Sequence, residues 1–409
     1  MTRLFFLLLL AVSVYSDPHI LPLSKFSSSL SSSINGVEGG AKLYLASSDD
    51  NSVLKNIVIT TGATSITLDK LNDFNDDGTP KSLLIAGDLR VDTSNNDTVM
   101  ASMTGNLYVT SKAQADDPNF SVYVIKDQHT ISTNAMKSTV VILNTWLGDV
   151  SADLDKPLRT SYVTGINQSP NTNLYFQWGI PPTDWYEYTN NTFFRNPVNL
   201  INGTSPLNIT YTKVFFDNVE PLQIGLDYWY FMVMGPINMQ ISKKYVSNDN
   251  YNTTAVDTTG LIVNEYLYQD HVVNFMPDLT RTGVSGVFFS HSALLGNFGV
   301  FLMSEKGSVA NFGNFLYPNT WSFYTEDQAT QLIVNSTSHR PGTFYCQYFS
   351  FAGDVWPTTT PLTTELPPTT QAPTTVAATT TTVGTSTKGA GFVNKLEFIS
   401  LMILGIWFS

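Results

Sequence analysis

Short apolar runs that alternate with polar residues constrain the fold of this chain more than any other feature. They lie at residues 43–46, 57–60, 65–68, 83–86, 107–110, 121–125, 139–143, 174–177, 230–234, 287–290, 300–303 and 332–335, with Gly, Asn, Asp and Pro between them. Alternation with period two places side chains on opposite faces of a strand, and short strands separated by turn residues are typical of sandwiches and barrels. No stretch keeps helical spacing over three turns. The sequence therefore predicts an all-β chain of tandem β-sandwich domains.

The amino-terminal 36 residues contain two segments outside these runs. Residues 1–16 have a short basic start, an apolar run and small residues before Asp17, which is the pattern of a cleaved signal peptide. Residues 17–36 form a Ser-rich leader that we expect to be loosely ordered. The chain is therefore expected to enter the secretory pathway.

The carboxyl-terminal segment predicts attachment to a membrane by a lipid. Residues 357–387 are rich in Thr and Pro and are typical of an O-glycosylated, mucin-like stalk. Residues 388–409 end in an apolar run that is shorter than the roughly 20 residues of a spanning helix. Small residues, a polar spacer and a short apolar tail make up a glycosylphosphatidylinositol signal, with Gly384 as the expected attachment residue and Gly389 as the alternative.

Composition limits the classes of partner. The formal net charge of −12 opposes binding to phosphate backbones, so nucleic acid is not an expected partner. The sequence contains a single cysteine, Cys346, and no disulfide can form within the chain. We expect this thiol to be a buried core residue, with pairing between two chains as the alternative. Eight N-glycosylation sequons should face solvent, at Asn96, Asn119, Asn167, Asn190, Asn202, Asn208, Asn252 and Asn335.

A weak internal repeat suggests three units. Leu107 to Ser111 is followed by Phe120 to Tyr123, and Leu332 to Ser336 by Phe344 to Tyr348, as closing hairpins of two sandwiches would be. A fainter copy pairs residues 222–225 with 228–230. The predicted units are a sandwich at 37–127, a β-rich middle unit at 128–238 that is expected to form a second sandwich, and a third sandwich at 239–356.

The order of motifs in the first unit resembles a family. Residues 65–74, 82–88, 105–111 and 120–124 give an apolar strand ending near Phe, an acidic loop, a strand ending in Gly and a final hairpin. This order resembles a CUB domain, and the chain is similar to the CUB-like secreted proteins of nematodes. The resemblance covers 37–127 most clearly and 239–350 in part. It implies jelly-roll sandwiches with a role in surface recognition or defence, and disulfides that one cysteine cannot supply.

The acidic loop of the first unit is a candidate calcium site. Asp73, Asn75 and Asp77 alternate before Gly78, as oxygen ligands do in the first half of a calcium loop. The position of the closing bidentate Glu is occupied by Leu84, so the loop is not an EF-hand. A tight turn needs the same residue types for backbone reasons. The tight turn is therefore the main interpretation. The resemblance to CUB domains, many of which bind calcium, keeps a calcium site as the alternative, and no other cofactor is expected.

A second candidate is an aromatic segment that contains two prolines. We expect these rings to fill a gap between sheets, with a binding surface formed by Trp178, Trp185, Tyr186 and Tyr188 as the alternative. Asp184 and Glu187 lie in the same segment and would be the carboxylates of a hydrolase.

Catalytic signatures are otherwise weak. The five histidines are far apart in sequence and have no metal-ligand spacing. Asp257-Thr-Thr-Gly260 has one residue too many for an aspartic protease, and a second copy is missing. The main hypothesis is therefore a lipid-anchored, glycosylated surface protein that is not an enzyme and binds an extracellular protein or carbohydrate. The alternatives are a tethered hydrolase and a structural surface-coat protein.

Overall fold

The computed structural model describes residues 17–28, 31–148, 158–183, 191–202, 210–246, 250–253, 255–264, 270–292, 298–307, 309–311, 322–325, 327–336 and 343–353. The chain divides into two compact units, Met1–Leu362 and Thr363–Ser409, and every described residue belongs to the first. Several predictions lie outside the described residues: the signal peptide at 1–16, the stalk at 357–387, the segment 388–409 with its attachment residues Gly384 and Gly389, the sequons at Asn190 and Asn208, and Asp184, Trp185, Tyr186, Glu187 and Tyr188.

Eight strands and three short helices form the first sandwich. The strands are β1 (His19–Pro22), β2 (Ser32–Ile34), β3 (Lys42–Ala46), β4 (Ile57–Thr61), β5 (Thr64–Thr67), β6 (Ser82–Leu84), β7 (Leu89–Thr93) and β8 (Asn106–Val109), and the helices are α1 (Asn51–Leu54), α2 (Asp97–Ala101) and α3 (Lys112–Asp116). Two antiparallel sheets, β1-β8-β3-β6 and β2-β7-β4-β5, face each other. Leu43 and Leu107 from one sheet and Ile59 and Val91 from the other meet in one buried core.

The Ser-rich leader forms two paired strands and is not the loosely ordered segment that its composition predicted. It supplies β1, which pairs with β8, and β2, which pairs with β7. Leu23 between them is fully buried, and a Cβ atom at Gly105 would lie 2.8 Å from Leu23 Cδ1. The carboxylate of Asp97 accepts hydrogen bonds from Ser27 Oγ at 2.9 Å and Ser28 N at 3.0 Å. A few apolar residues are enough for an edge strand, so the polar composition did not prevent pairing.

Strands β9 to β20 form the second sandwich, a separate ribbon and, with β17, one edge of the third sandwich. They are β9 (Phe120–Ile125), β10 (His129–Thr133), β11 (Ser138–Asn144), β12 (Ser161–Gln168), β13 (Asn173–Trp178), β14 (Thr192–Asn196), β15 (Val198–Asn202), β16 (Thr210–Val214), β17 (Asn218–Val219), β18 (Leu222–Ile224), β19 (Tyr228–Met234) and β20 (Ile237–Ser242). Sheets β10-β20-β12-β18 and β14-β13-β19-β11-β9 enclose a core rich in rings, in which Phe176 lies 4.8 Å from Trp229 between centroids. Strands β15 and β16 form a separate ribbon.

The third sandwich contains the remaining strands. They are β21 (Asn250–Asn252), β22 (Thr258–Asn264), β23 (His271–Asn274), β24 (Gly283–Ser292), β25 (Phe298–Ser304), β26 (Val309–Asn311), β27 (Ser322–Thr325), β28 (Ala329–Ser336) and β29 (Phe344–Ala352). Strand β17 joins the sheet β17-β22-β29-β24-β27, and the second sheet is β21-β23-β28-β25-β26. Cys346 is completely buried in the core between them, as predicted, and burial strongly raises the pKa of its thiol.

The prediction of an all-β chain with tandem sandwiches is confirmed, whereas the predicted closing hairpins are wrong. Strand β8 belongs to the first sandwich and β9 to the second, where β9 pairs in parallel with β11. Strands β28 and β29 lie in opposite sheets, as do β18 and β19. A capped helix explains the first case: Ser111 and Gln114 form a capping box that starts α3, and α3 leads the chain into the next sandwich.

An apolar contact joins the first two sandwiches. Ala46 and Tyr108 of the first pack with Val122, Val141 and Tyr230 of the second in one buried cluster. These residues face away from the core of their own sandwich.

Polar contacts surround that apolar cluster. Arg159 of the second sandwich forms an ion pair with Asp227 at 2.7 Å and donates to Thr104 O of the first sandwich at 2.5 Å. Lys243 Nζ donates to Ser48 Oγ at 3.2 Å. We call the whole contact between the first and second sandwiches, apolar cluster and polar surround together, the first junction.

A second junction joins the second and third sandwiches. Val198 on β15 and Phe216, which follows β16, pack against Val284 and Phe349. The Arg195 guanidinium, on β14, lies 4.1 Å from the centroid of Phe288.

Candidate functional site

The predicted calcium residues form a tight turn between a short 3₁₀ helix, Leu68–Lys70, and β6. Asn75 N donates to Thr79 O at 2.8 Å, and Gly78 adopts φ +80°, a conformation that favours glycine. Asp77 Oδ1 accepts from Thr79 N at 2.9 Å and from Thr79 Oγ1 at 2.6 Å. Asp73 Oδ2 accepts from Lys81 Nζ at 2.6 Å. These hydrogen bonds lower the pKa of both carboxyl groups, chiefly through Lys81 for Asp73 and through Thr79 for Asp77.

The three side chains are thus brought to one exposed turn, with hydrogen bonds that a tight turn uses. Among the residues that the structure describes, no three His, Cys, Asp or Glu side chains are grouped so that they could hold a metal ion. Calcium binding at this turn stays a prediction.

The same turn contributes to the first junction. Phe74 lies 5.9 Å from the ring of His129 and its ring is 5.5 Å from Lys126 Nζ, both of which belong to the second sandwich. Lys126 Nζ also donates to Asn72 O at 2.9 Å and to Asn72 Oδ1 at 2.6 Å. Burial in the junction lowers the pKa of both His129 and Lys126. The acidic loop of the sequence therefore carries a structural contact at Phe74.

The described part of the aromatic segment lies between sandwiches. Trp178 is half-buried and its ring is 5.4 Å from that of Tyr345 in the third sandwich. Gln114 Nε2 on α3 donates to Pro181 O at 3.0 Å and to Pro182 O at 3.2 Å. For Trp178, the interpretation of a ring that fills a gap fits these contacts better than an open binding surface.

The sequons fall at positions of different exposure. Asn96, Asn119 and Asn167 are exposed, and Asn335 is half-buried on β28. Asn96 caps α2 through its side-chain oxygen, which accepts from Val99 N at 2.9 Å. Its amide nitrogen, the atom that carries sugar, is not used by this cap. Asn202 is the last residue of β15, and Asn252 is the last residue of β21.

One sheet of the second sandwich has an outer face on which the described strands place uncharged polar side chains. Its inner face is apolar, with Ile131, Val163 and Met239 in the core. The residues that point outward from β10, β12 and β20 are Thr130, Ser132, Tyr162, Thr164, Asn238, Gln240 and Ser242. We call this set the polar face.

Hydrogen bonding side chains cover the polar face in rows across the strands. Thr130, Gln240 and Thr164 form one row, and Ser132 and Asn238 begin the next. Gln128 Nε2 donates to Gln240 Oε1 at 3.1 Å at the surface. The sequon residue Asn167 pairs with Asn238 after a bulge at Gly165, which adopts φ +59°.

The margins of the polar face have other features. Lys244 Nζ lies 5.7 Å from the ring centroid of Tyr162. The segment after β20 runs beside the edge strand β18. The side chain of Gln223 on β18 holds this segment, because it donates to Lys244 O at 3.1 Å and accepts from Val246 N at 2.7 Å. Sequence analysis missed this face, although the alternation Ile237-Asn-Met-Gln-Ile-Ser242 predicts one polar and one apolar side.

The motif at Asp257 belongs to a strand start. Asp257 Oδ1 accepts from Ala352 N at 2.6 Å, and β22 begins at the next residue. His271 is buried at the start of β23, and His19 is placed on β1. The strands β22 and β23, which begin beside Asp257 and at His271, lie in different sheets of the third sandwich, and β1 lies in the first sandwich.

Comparison with known proteins places the chain in a broad class. A family model described as "Glycoprotein: Transmembrane glycoprotein" matches residues 38–404. Comparison with curated proteins gives no match. Among solved structures, the CUB1-EGF-CUB2 domains of rat MASP-1 are similar at 6% identity and a TM-score of 0.18, over 56% of this chain and 99% of that chain. A TM-score this low adds nothing to the description of the fold.

Among the described residues, none of the helices reaches the length and apolarity that crossing a membrane requires.

Proposed function

The chain belongs to the transmembrane glycoprotein family, and from that membership we propose that it is a cell-surface protein whose β-sandwiches bind an extracellular ligand without catalysing a reaction. Exposed sequons at Asn96 and Asn119 support the glycosylated state. The resemblance to CUB-like nematode proteins belongs to the same proposal and suggests surface recognition or defence. A signal peptide at 1–16 and a mucin-like stalk complete it.

The proposed attachment is a glycosylphosphatidylinositol anchor on Gly384, with Gly389 as the alternative. The apolar tail is shorter than a spanning helix of roughly 20 residues. The family description uses the word transmembrane, which favours a retained tail instead. Mass spectrometry of the mature carboxyl terminus separates the two, since an anchored chain ends at the attachment residue and a spanning chain retains residues 398–408.

The polar face is the proposed ligand surface, and a neutral carbohydrate is the proposed ligand. Thr130, Asn238 and Gln240 are exposed and offer hydroxyl and amide groups that both donate and accept hydrogen bonds. A neutral sugar presents hydroxyl groups of the same kind, which can donate to and accept from these side chains. The ring of Tyr162 at the margin can add an apolar contact to a sugar. The two rows of uncharged hydroxyl and amide side chains, Thr130–Gln240–Thr164 and Ser132–Asn238, are the observation that carries the proposal.

Binding of the full-length protein to an array of neutral glycans tests this proposal. We expect Asn238→Ala/Gln240→Ala to weaken binding about 10- to 30-fold, because each lost hydrogen bond contributes about 1 kcal/mol. Thr64→Ala, at an exposed position on β5 of the first sandwich, is the control and should bind as the wild type does. Equal binding by the double variant would contradict the proposed surface. Wild-type protein that binds no neutral glycan would contradict the proposed ligand class.

A further inference from the structure

A half-buried apolar row crosses the outer face of the sheet β21-β23-β28-β25-β26 in the third sandwich. Val272, Ile333 and Phe301 are directly paired across β23, β28 and β25. The core side of this sheet is formed by their neighbours in sequence, such as Val300 and Leu332. Alternation therefore points the row away from the core.

Asn335 lies on the same outer face, next to this row. It follows Ile333 by two residues on β28, and its partner on β25 is Gly299. The sequence Asn335-Ser-Thr337 is a sequon, so a sugar on this residue would start from the outer face.

The ring of Phe301 is folded over Gly299. A Cβ atom at Gly299 would lie 2.3 Å from Phe301 Cε2, so the glycine leaves the space that the ring occupies. Because Gly299 is the direct partner of Asn335, the ring extends toward the residue that carries the sequon. Diagonal neighbours in an antiparallel pair lie about 7–8 Å apart, within reach of an aromatic side chain.

We propose that the N-linked glycan of Asn335 docks on this face, with its first N-acetylglucosamine covering the ring of Phe301. The apolar C–H face of the sugar shields the ring from water. Because the sugar is covalently attached to Asn335, it is held close to the ring. The apolar row then needs no protein partner. This inference rests on the glycosylation that is part of the proposed function.

Glycopeptide mass spectrometry combined with a mutant cycle tests the docking in full-length protein from secretory cells. We expect sugar at Asn335. Asn335→Gln and Thr337→Ala both remove the sequon and should lower the Tm by about 4–8 °C, the shift that the loss of one such contact causes in a domain of about 100 residues. In a Phe301→Leu background, which removes the ring and keeps apolar bulk, the same changes should alter the Tm much less. Thr98→Ala, which removes the Asn96 sequon in another sandwich, is the control whose effect should not depend on Phe301.

Four outcomes would overturn the inference. Sugar at other sequons with Asn335 bare excludes docking and leaves the proposed function intact, whereas no sugar at any sequon contradicts both. A Tm that falls in Asn335→Gln and not in Thr337→Ala assigns the effect to the asparagine side chain. Equal losses with and without the Phe301 ring exclude the ring as the docking surface.

Discussion

At the scale of single residues, Gln347 shows how a side chain can join two sandwiches. It is fully buried on β29, and its Oε1 accepts from Arg195 N at 3.0 Å while its Nε2 donates to Arg195 O at 2.8 Å. The amide therefore pairs with the backbone of β14 as a neighbouring strand would. Its Nε2 also donates to Thr259 Oγ1 at 2.9 Å, which fixes the orientation of the amide.

Replacement of Gln347 by Leu should strongly destabilise the protein. The two backbone groups of Arg195 would lose the partner that they use, at a cost of about 1–3 kcal/mol each. Urea unfolding measures the change in the free energy of unfolding. Gln128→Leu makes the same chemical change at an exposed position and should alter it by less than about 0.5 kcal/mol. Similar effects of the two variants would mean that Gln347 is not a structural pairing group.

His129 predicts a pH dependence at the first junction. Its usual pKa is 6.5, and burial lowers it against the opposing effects of Asp127 and the Val124 backbone. As pH falls through about 6.5, the unfolded chain therefore takes up this proton before the folded chain does, and the free energy of unfolding decreases. Above that pH the histidine is neutral in both states, and acidification has not yet reduced the free energy of unfolding.

The Tm of wild type and His129→Gln at about pH 7.5 and about pH 5.5 measures this contribution. We expect the wild type to lose more stability on acidification than the variant. His19→Gln, a change of the same kind on β1, should retain the wild-type dependence. An identical loss in wild type and His129→Gln would contradict the prediction.

At the scale of elements, strands were predictable and their partners were not. Alternation at residues 139–143 and 230–234 identified β11 and β19 because each strand has a core side. The pattern is local, however, and does not specify which sheet receives a strand, so β8 and β9 were joined as a hairpin. The leader was misjudged because Ser32–Ile34 pairs through its backbone, which side-chain composition does not report. The polar face depends on three strands that pairing alone brings together.

The leader strands predict a stability effect at Leu23. Leu23→Ala should destabilise the first sandwich by about 2–5 kcal/mol, since the side chain is completely buried beside Gly105. Leu84→Ala is the matched control, because Leu84 is 62% exposed at the end of β6. Urea unfolding with a probe of the first sandwich gives both values. Equal and small effects would show that the leader does not belong to the folded sandwich.

At the scale of the whole molecule, the described residues form three sandwiches joined by two buried junctions. The first uses Tyr108 and Tyr230, and the second uses Phe216 and Phe349. The surface left open includes the polar face of the second sandwich and the Phe301 row of the third. Such an arrangement suits a protein that presents binding surfaces outside the cell, with sugar on its exposed asparagines.

Treatment of intact cells that express the full chain with a phosphatidylinositol-specific phospholipase C tests the central claim most directly. Lipid anchoring predicts release of the glycosylated protein into the medium, with a carboxyl terminus at Gly384 or Gly389. Protein that stays on the cells and retains residues 398–408 by mass spectrometry would contradict the anchor and assign attachment to the tail itself.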